Sequence, residues 1–366
     1  MEDMSPNLTM SPSNQDSSHH KLLEYYLSTA SYYISYIGIA VALFAMGCII
    51  SIKDFSDKDK HMSKSVVIGI AFQSVFQPLI GYGLAVILHL DVNEAMAMII
   101  LACCPVSPFC AVFVYYGEGV VIVGLSLAMF STALSAGLIP FWFSVLSRTW
   151  TREYIVIGPP SDIGLAELEI FIPTALGLLY KRVHGKKKAR LMAKVCSNAF
   201  WVAVIISPIL NGIAYPQDFV ADWHVWTGAF VLPLSGFFCG LLLSLYFNLP
   251  FQVCSAISLA VGTPNWFIAK SLATRFFSED EETLHGVFAL LSIISITLPI
   301  EGFIWSIMFR SIQEFFMELS PKCCCNDADD DDDDDDFAII EMDDAASPPP
   351  VEIKVSHHFD IDETEA

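Results

Sequence analysis

Apolar residues fall in long runs along this chain, with short polar connectors between them. Nine stretches read as membrane spans: about 30–52, 65–89, 94–116, 120–147, 164–181, 191–214, 224–247, 251–277 and 284–310. Each approaches the roughly 20 residues that cross ~30 Å of hydrocarbon. The pattern therefore predicts an all-α polytopic membrane protein, with a transmembrane domain over 30–312 between a leader (1–29) and a tail (313–366). Two spans break the pattern. The third contains "ACCPVSPFCAVFVYY", with Pro105 and Pro108 in mid-span, and the eighth contains "AVGTPNW", with Gly262, Thr263, Pro264 and Asn265. They lie five spans apart, so they run in opposite directions. Interrupted helices at matching positions of two inverted halves point to a secondary transporter, with its sites beside the breaks. Freed backbone groups are tolerated there only where protein or a watery cavity satisfies them. The plainer reading is a pair of proline kinks.

Charge adds orientation. The formal net charge is -21, but much of the acid lies after residue 326, in "NDADDDDDDDDFAIIEMDDAA" and "IDETEA". The connectors "KDFSDKDKHMSK" and "KRVHGKKKAR" are basic, whereas "DVNE", "YPQDFVADWH" and "SEDEETLH" hold no Lys or Arg. Basic loops favour the cytoplasm, which puts the N-terminus outside and the C-terminus inside; Arg148 and Arg152 dissent. The acceptor triplet "NLT" at Asn7 agrees, since glycosylation there requires an external N-terminus. No signal peptide is visible, and the ten cysteines do not form a secreted disulfide pattern. Cys323, Cys324 and Cys325 follow the last span as candidate palmitoylation sites, and the aspartate run beyond them predicts disorder.

Four motifs carry a family resemblance. "MGCIISIKDF", "ACCPVSP", "STALSAGLIP" and "AVGTPN" resemble, in order and spacing, MGC-x-x-x-x-x-x-F, G-C-C-P-G-G, S-T-x-x-A-x-G-x-x-P and E-T-G-x-Q-N of the bile acid:sodium symporter family, solute carrier family 10. The resemblance covers roughly residues 30 to 312. It implies an inverted-repeat transporter fold with panel and core subdomains and two discontinuous helices crossing at the midplane. It also implies sodium symport of amphipathic organic anions, bile-acid or steroid-sulfate-like, by alternating access. Site candidates that it and the breaks supply are Gln73, Pro105, Ser107, Pro108, Ser131, Thr132, Gly262, Thr263, Pro264 and Asn265.

The chain departs from that family at the expected ion ligands. The glutamate of E-T-G-x-Q-N falls on Ala260 and its glutamine on Pro264; the serine and asparagine after G-C-C-P-G-G fall on Cys110 and Ala111. With the carboxylate gone, sodium coupling is in question, and no other cofactor is implied. A new charge, Lys270, stands five residues past Asn265, about 7.5 Å along a helix. An ionisable group at this depth is a functional candidate, and its ammonium would stand in for the lost ion. Snorkelling to the interface, about 12 Å away at Ser278, is the alternative. Glu301 in "TLPIEGFIW" reads as a partner for Lys270, a proton carrier, or an interfacial group, with pairing or structure favoured. Trp266 reads as cavity filler or as packing. The leading function is an organic-anion carrier in the lipid bilayer, at the plasma membrane rather than an organelle, with no nucleic-acid partner and a homodimer left open. The alternative is a non-transporting binding or regulatory protein. An enzyme is the weakest reading, because no assembled constellation of His, Cys, Ser or carboxylate groups appears on the spans.

Overall fold

The computed structural model describes residues 12–50, 60–150, 161–277 and 281–319, and among these every regular element is helical. Twelve α-helices run in order: α1 (Pro12–Ile49), α2 (Lys60–Ala71), α3 (Gln77–Ile87), α4 (Val92–Cys103), α5 (Cys110–Tyr116), α6 (Val121–Leu146), α7 (Ser161–His184), α8 (Lys186–Ala214), α9 (Trp223–Tyr246), α10 (Phe251–Val261), α11 (Trp266–Phe276) and α12 (Glu281–Leu319). Among the described residues, six continuous stretches are long and apolar enough to cross a bilayer, from Leu22–Ile49 to Gly286–Phe315. The two spans expected to be broken are each a pair of short helices, α4–α5 and α10–α11. The leader is helical from Pro12, so α1 begins well ahead of the expected span. Asn7, Arg152, Cys323–Cys325 and the acidic tail lie outside the described residues.

One break was not expected. Between α2 and α3 the chain widens into a π turn, Phe72–Phe76, where the Gln77 N–H reaches back to the Phe72 carbonyl. Pro78 explains part of this. It has no N–H to offer the Ser74 carbonyl, which instead accepts from Trp142 Nε1 at 2.6 Å. Such turns recur at functional sites, and this one carries Gln73.

The helices sort into two packed groups. In the first, α1 lies along α7 and α8. Its contact with α7 is backbone on backbone: a Cβ on Gly47 would meet Thr174 O at 2.2 Å, and one on Gly177 would meet Phe44 O at 2.2 Å. Small residues let membrane helices approach this closely. Its contact with α8 is joined by hydroxyls, Ser31 Oγ donating to Ser207 O at 2.8 Å while Ser35 Oγ meets Ser207 Oγ. The outer faces of α7 and α8 expose Phe171, Leu176, Ile205 and Ile209, a surface suited to lipid. In the second group, α9 packs along α10 and α12, and α3 along α4. Here α4 is apolar all round and buried along its length from Ala95 to Cys103. The first group is called the panel and the second the core.

Helix ends are satisfied locally. Asp91 and Glu94 form a capping box on α4. At the basic end of the bundle, Lys181 Nζ donates to Ile50 O at 3.0 Å, Lys64 Nζ to Phe247 O at 2.8 Å, and Gln313 Nε2 to Gly117 O at 3.0 Å. Cations suit helix C-termini, where unpaired carbonyls gather.

Candidate functional site

Each broken helix frees backbone groups, and the two breaks supply each other's partners. Val106 and Pro264 form an antiparallel bridge. Ser107 N donates to Thr263 O at 2.8 Å, and Asn265 N donates to Pro105 O at 2.8 Å. The surrounding side chains take the remainder. Gln73 Nε2 donates to Cys104 O at 2.8 Å, and Val106 N donates to Ser131 Oγ at 3.1 Å. Asn265 Oδ1 accepts from Ile268 N at 3.2 Å and so N-caps α11. Close approach needs Gly262: a Cβ there would lie 2.1 Å from the Phe237 ring. Gln73, Pro105, Ser107, Ser131, Thr263, Pro264 and Asn265 are thus brought together, with Pro108 starting the turn into α5. Thr132 adjoins Ser131, but its hydroxyl bonds Ala128 O on its own helix at 2.7 Å. Three buried oxygens here have no hydrogen-bond partner: Gln73 Oε1, Gln77 Oε1 and Ser107 Oγ.

Beside the crossing, a cleft opens between panel and core. The panel wall comes from α1 (Ser35, Ile39) and α8 (Phe200, Ser207), the core wall from the turn before α5 (Phe109), α5 (Phe113), α11 (Trp266, Phe267) and α12 (Ser295, Pro299). The lining is apolar and aromatic with three hydroxyls, and Trp266, read from sequence as filler or packing, is part of it. The cleft encloses about 30 Å³, room for one water, whereas small-molecule pockets hold roughly 300–1,000 Å³. This conformation is closed around it.

Lys270 does not sit at the crossing. It lies one turn beyond Trp266 on the same face of α11, as Asn211 lies one turn beyond Ser207 on α8. Its Nζ stands 3.4 Å from Asn211 Oδ1 and 5.2 Å from the Phe288 ring centroid. Asn211 Nδ2 meets Ser292 Oγ at 3.4 Å, and Ser292 Oγ donates to Asp218 Oδ2 at 3.0 Å. Asp218, in a 3-10 turn (Pro216–Phe219), is 3% exposed and supplies the negative charge near Lys270. A polar cluster therefore closes one end of an apolar cleft. The expected pairing of Lys270 with Glu301 is not found. Phe288 marks the depth of the lysine on α12, and Glu301 lies thirteen residues further along, about 20 Å. Sequence reasoning missed Asp218, Asn211 and Ser292, because none of them marks a break or carries an odd charge within an expected span.

Glu301 has different surroundings. It is 2% exposed, and neither carboxylate oxygen has a hydrogen-bond partner. Thr297 Oγ1, one turn earlier on the same face, is likewise unpartnered. Trp305, one turn later, packs on Phe237 with ring centroids 5.7 Å apart, and Phe237 is the ring against Gly262. The Glu301 face of α12 is thus one aromatic layer from the crossing.

Residues 36–215 match the model of the sodium bile acid symporter family. Over that stretch, just under half of its length, the chain resembles that family. It is similar to the ileal sodium/bile acid cotransporter of Oryctolagus cuniculus, 25% identical over 278 residues, 75% of this chain and 78% of the relative. The Homo sapiens protein of the same name is 24% identical over 276 residues, again 75% and 78%. The sodium-dependent organic anion transporter of Homo sapiens is 24% identical over 234 residues, 63% of this chain and 61% of the relative. A symporter family with transporter relatives excludes the enzyme reading, and the apolar helices make the chain an integral multi-pass membrane protein.

Proposed function

We propose that this chain carries amphipathic organic anions of the bile-acid or steroid-sulfate kind, by rocking the core against the panel. One observation carries the reading: an apolar, aromatic cleft between the two groups ends, one turn outward, in Lys270. The steroid-like body would lie against Phe109, Phe200 and Trp266, and the anionic head would draw Lys270 away from Asp218. The basic end holding Lys181 to Arg190 faces the cytoplasm, and the Asp218 end faces outside. The relatives' names supply the substrate class.

A sodium ion at the crossing fits these residues poorly. Ala260 stands where the family pattern has glutamate, and Cys110 and Ala111 where it has serine and asparagine. Of the oxygens that remain, Ser131 Oγ accepts from Val106 N, Thr132 Oγ1 bonds Ala128 O, and Asn265 Oδ1 caps α11. Gln73 Oε1, Gln77 Oε1 and Ser107 Oγ are left over, and these, like the lone pairs of Thr132 Oγ1, are neutral, with no carboxylate among them. No step of transport is therefore routed through sodium. Uptake of labelled taurocholate and of a labelled steroid sulfate by expressing cells, in sodium and in choline, tests the reading. Equal uptake in both salts is expected, with a loss of at least tenfold in Lys270→Ala. A strict sodium requirement contradicts the coupling reading. Absence of uptake in either salt favours a non-transporting regulator, a reading to which the missing ion ligands also point.

A further inference from the structure

We infer that Glu301 is a proton-binding site whose loading and release couple organic-anion movement to the proton gradient; this rests on the carrier reading above. An ionised carboxylate away from water must be paired, hydrogen-bonded or neutralised. Glu301 has neither pairing nor hydrogen bonds, since both its oxygens are buried without a partner. The nearest oxygen on its own face, Thr297 Oγ1, is unpartnered as well, so nothing there anchors a fixed anion. The neutral acid is the form this geometry holds.

The neighbouring elements supply no compensating charge. On α9 the ionisable groups are His224 at the outer end, then Cys239 and Tyr246; on α10 there is Cys254. On α4 they are Glu94 at the outer start and Cys103, and on α5 Cys110, Tyr115 and Tyr116. The charges on α11 are Lys270 and Arg275, and the 3-10 turn brings Asp218. On α8 the cations lie in its first turns, from Lys186 to Lys194, with Cys196 beyond them. Along α12 itself, the Lys270–Asp218 cluster touches Ser292, and the Glu118–Arg310–Glu314 group begins at Arg310. Each is nine residues from Glu301, about 13 Å along the axis. Glu301 thus stands midway between two charged clusters, with apolar packing on both sides.

The position suits a moving part. Pro299, two residues earlier, lines the cleft and leaves the Ser295 carbonyl without its helical donor. The helix is weakest where core meets panel, beside the acid. Glu301 stands on the other side of α12 from Pro299, toward the crossing. When the core rocks about this weak turn, that face opens to outside water and takes up a proton; in the opposite state it opens to the cytoplasm and the proton leaves. One proton travelling inward with a monovalent organic anion makes the cycle electroneutral, with no further reactant required.

Two measurements on the full chain in lipid nanodiscs and proteoliposomes test this. Infrared difference spectra of wild type against Glu301→Gln at neutral pH should contain the C=O band of a protonated carboxyl, shifted in deuterated water. Ionised-carboxylate bands in that difference would overturn the assignment whatever is transported. Uptake of labelled steroid sulfate in choline should rise several-fold with acid outside, and Glu301→Gln should abolish that rise while keeping exchange of preloaded for external substrate. An acid response that survives in Glu301→Gln overturns the coupling role. Thr297→Val, which leaves the carboxyl in place, keeps the band and the response if the variant with glutamine acts through the acid rather than through misfolding. No uptake in wild type, with the carboxyl band present, would refute the carrier reading and leave the proton site standing.

Discussion

Lys270 and Glu301 are both ionisable groups inside the membrane domain, and their surroundings differ in kind. Lys270 meets the Asn211 amide, the Phe288 ring and the charge of Asp218, drawn from panel, core and a short turn between helices. Glu301 has no hydrogen-bond partner on either oxygen, and the Thr297 hydroxyl one turn away is idle as well. The lesson is that charge at this depth is managed in two ways. A group can be compensated by partners on several elements, and then it ties those elements together. A group without partners holds its proton, and then it answers to whichever side of the membrane supplies one.

Mutations that treat the two sites alike will break or sharpen this contrast. The largest effect is expected from Asp218→Ala, which leaves the ammonium of Lys270 short of counter-charge; breaking a buried pair costs about 3 kcal/mol. Thermal unfolding in detergent should show that loss, and Asp218→Ala combined with Lys270→Met should regain much of it. Asn211→Leu removes the amide between panel and core and should cost about 1–2 kcal/mol. Glu301→Gln exchanges one neutral group for another of the same shape and should change stability by less than about 1 kcal/mol at neutral pH. A loss at Glu301→Gln as large as that at Asp218→Ala would mean the two carboxylates are held alike. Ser107→Ala, which removes a hydroxyl with no partner, should lie within about 0.5 kcal/mol of wild type.

The breaks were legible because proline and glycine disrupt helices by local sterics, and Pro105, Pro108, Gly262 and Pro264 stand in otherwise apolar runs. The all-helical, multi-span architecture followed from the long apolar runs. The π turn at Phe72–Phe76 was not legible, since Pro78 alone also fits a first-turn proline of an ordinary helix. Nor was the company that Lys270 keeps. Opposite charges on two spans suggested Lys270 with Glu301, but sequence does not fix depth, and the acid that lies near Lys270 belongs to a short turn between helices. Trp266 could be placed after the break, but only packing against α8 and α12 shows that it lines a cleft.

The central claim is that substrate passes between panel and core through the cleft at the crossing. Ala203→Cys on α8 and Ser295→Cys on α12, in an otherwise cysteine-free chain, place one thiol on each wall. A reducible bifunctional thiol reagent would then hold the walls together. The account predicts that labelled steroid sulfate uptake stops on cross-linking and returns on reduction, while either single variant keeps transporting; undiminished uptake through a fully cross-linked protein would contradict it.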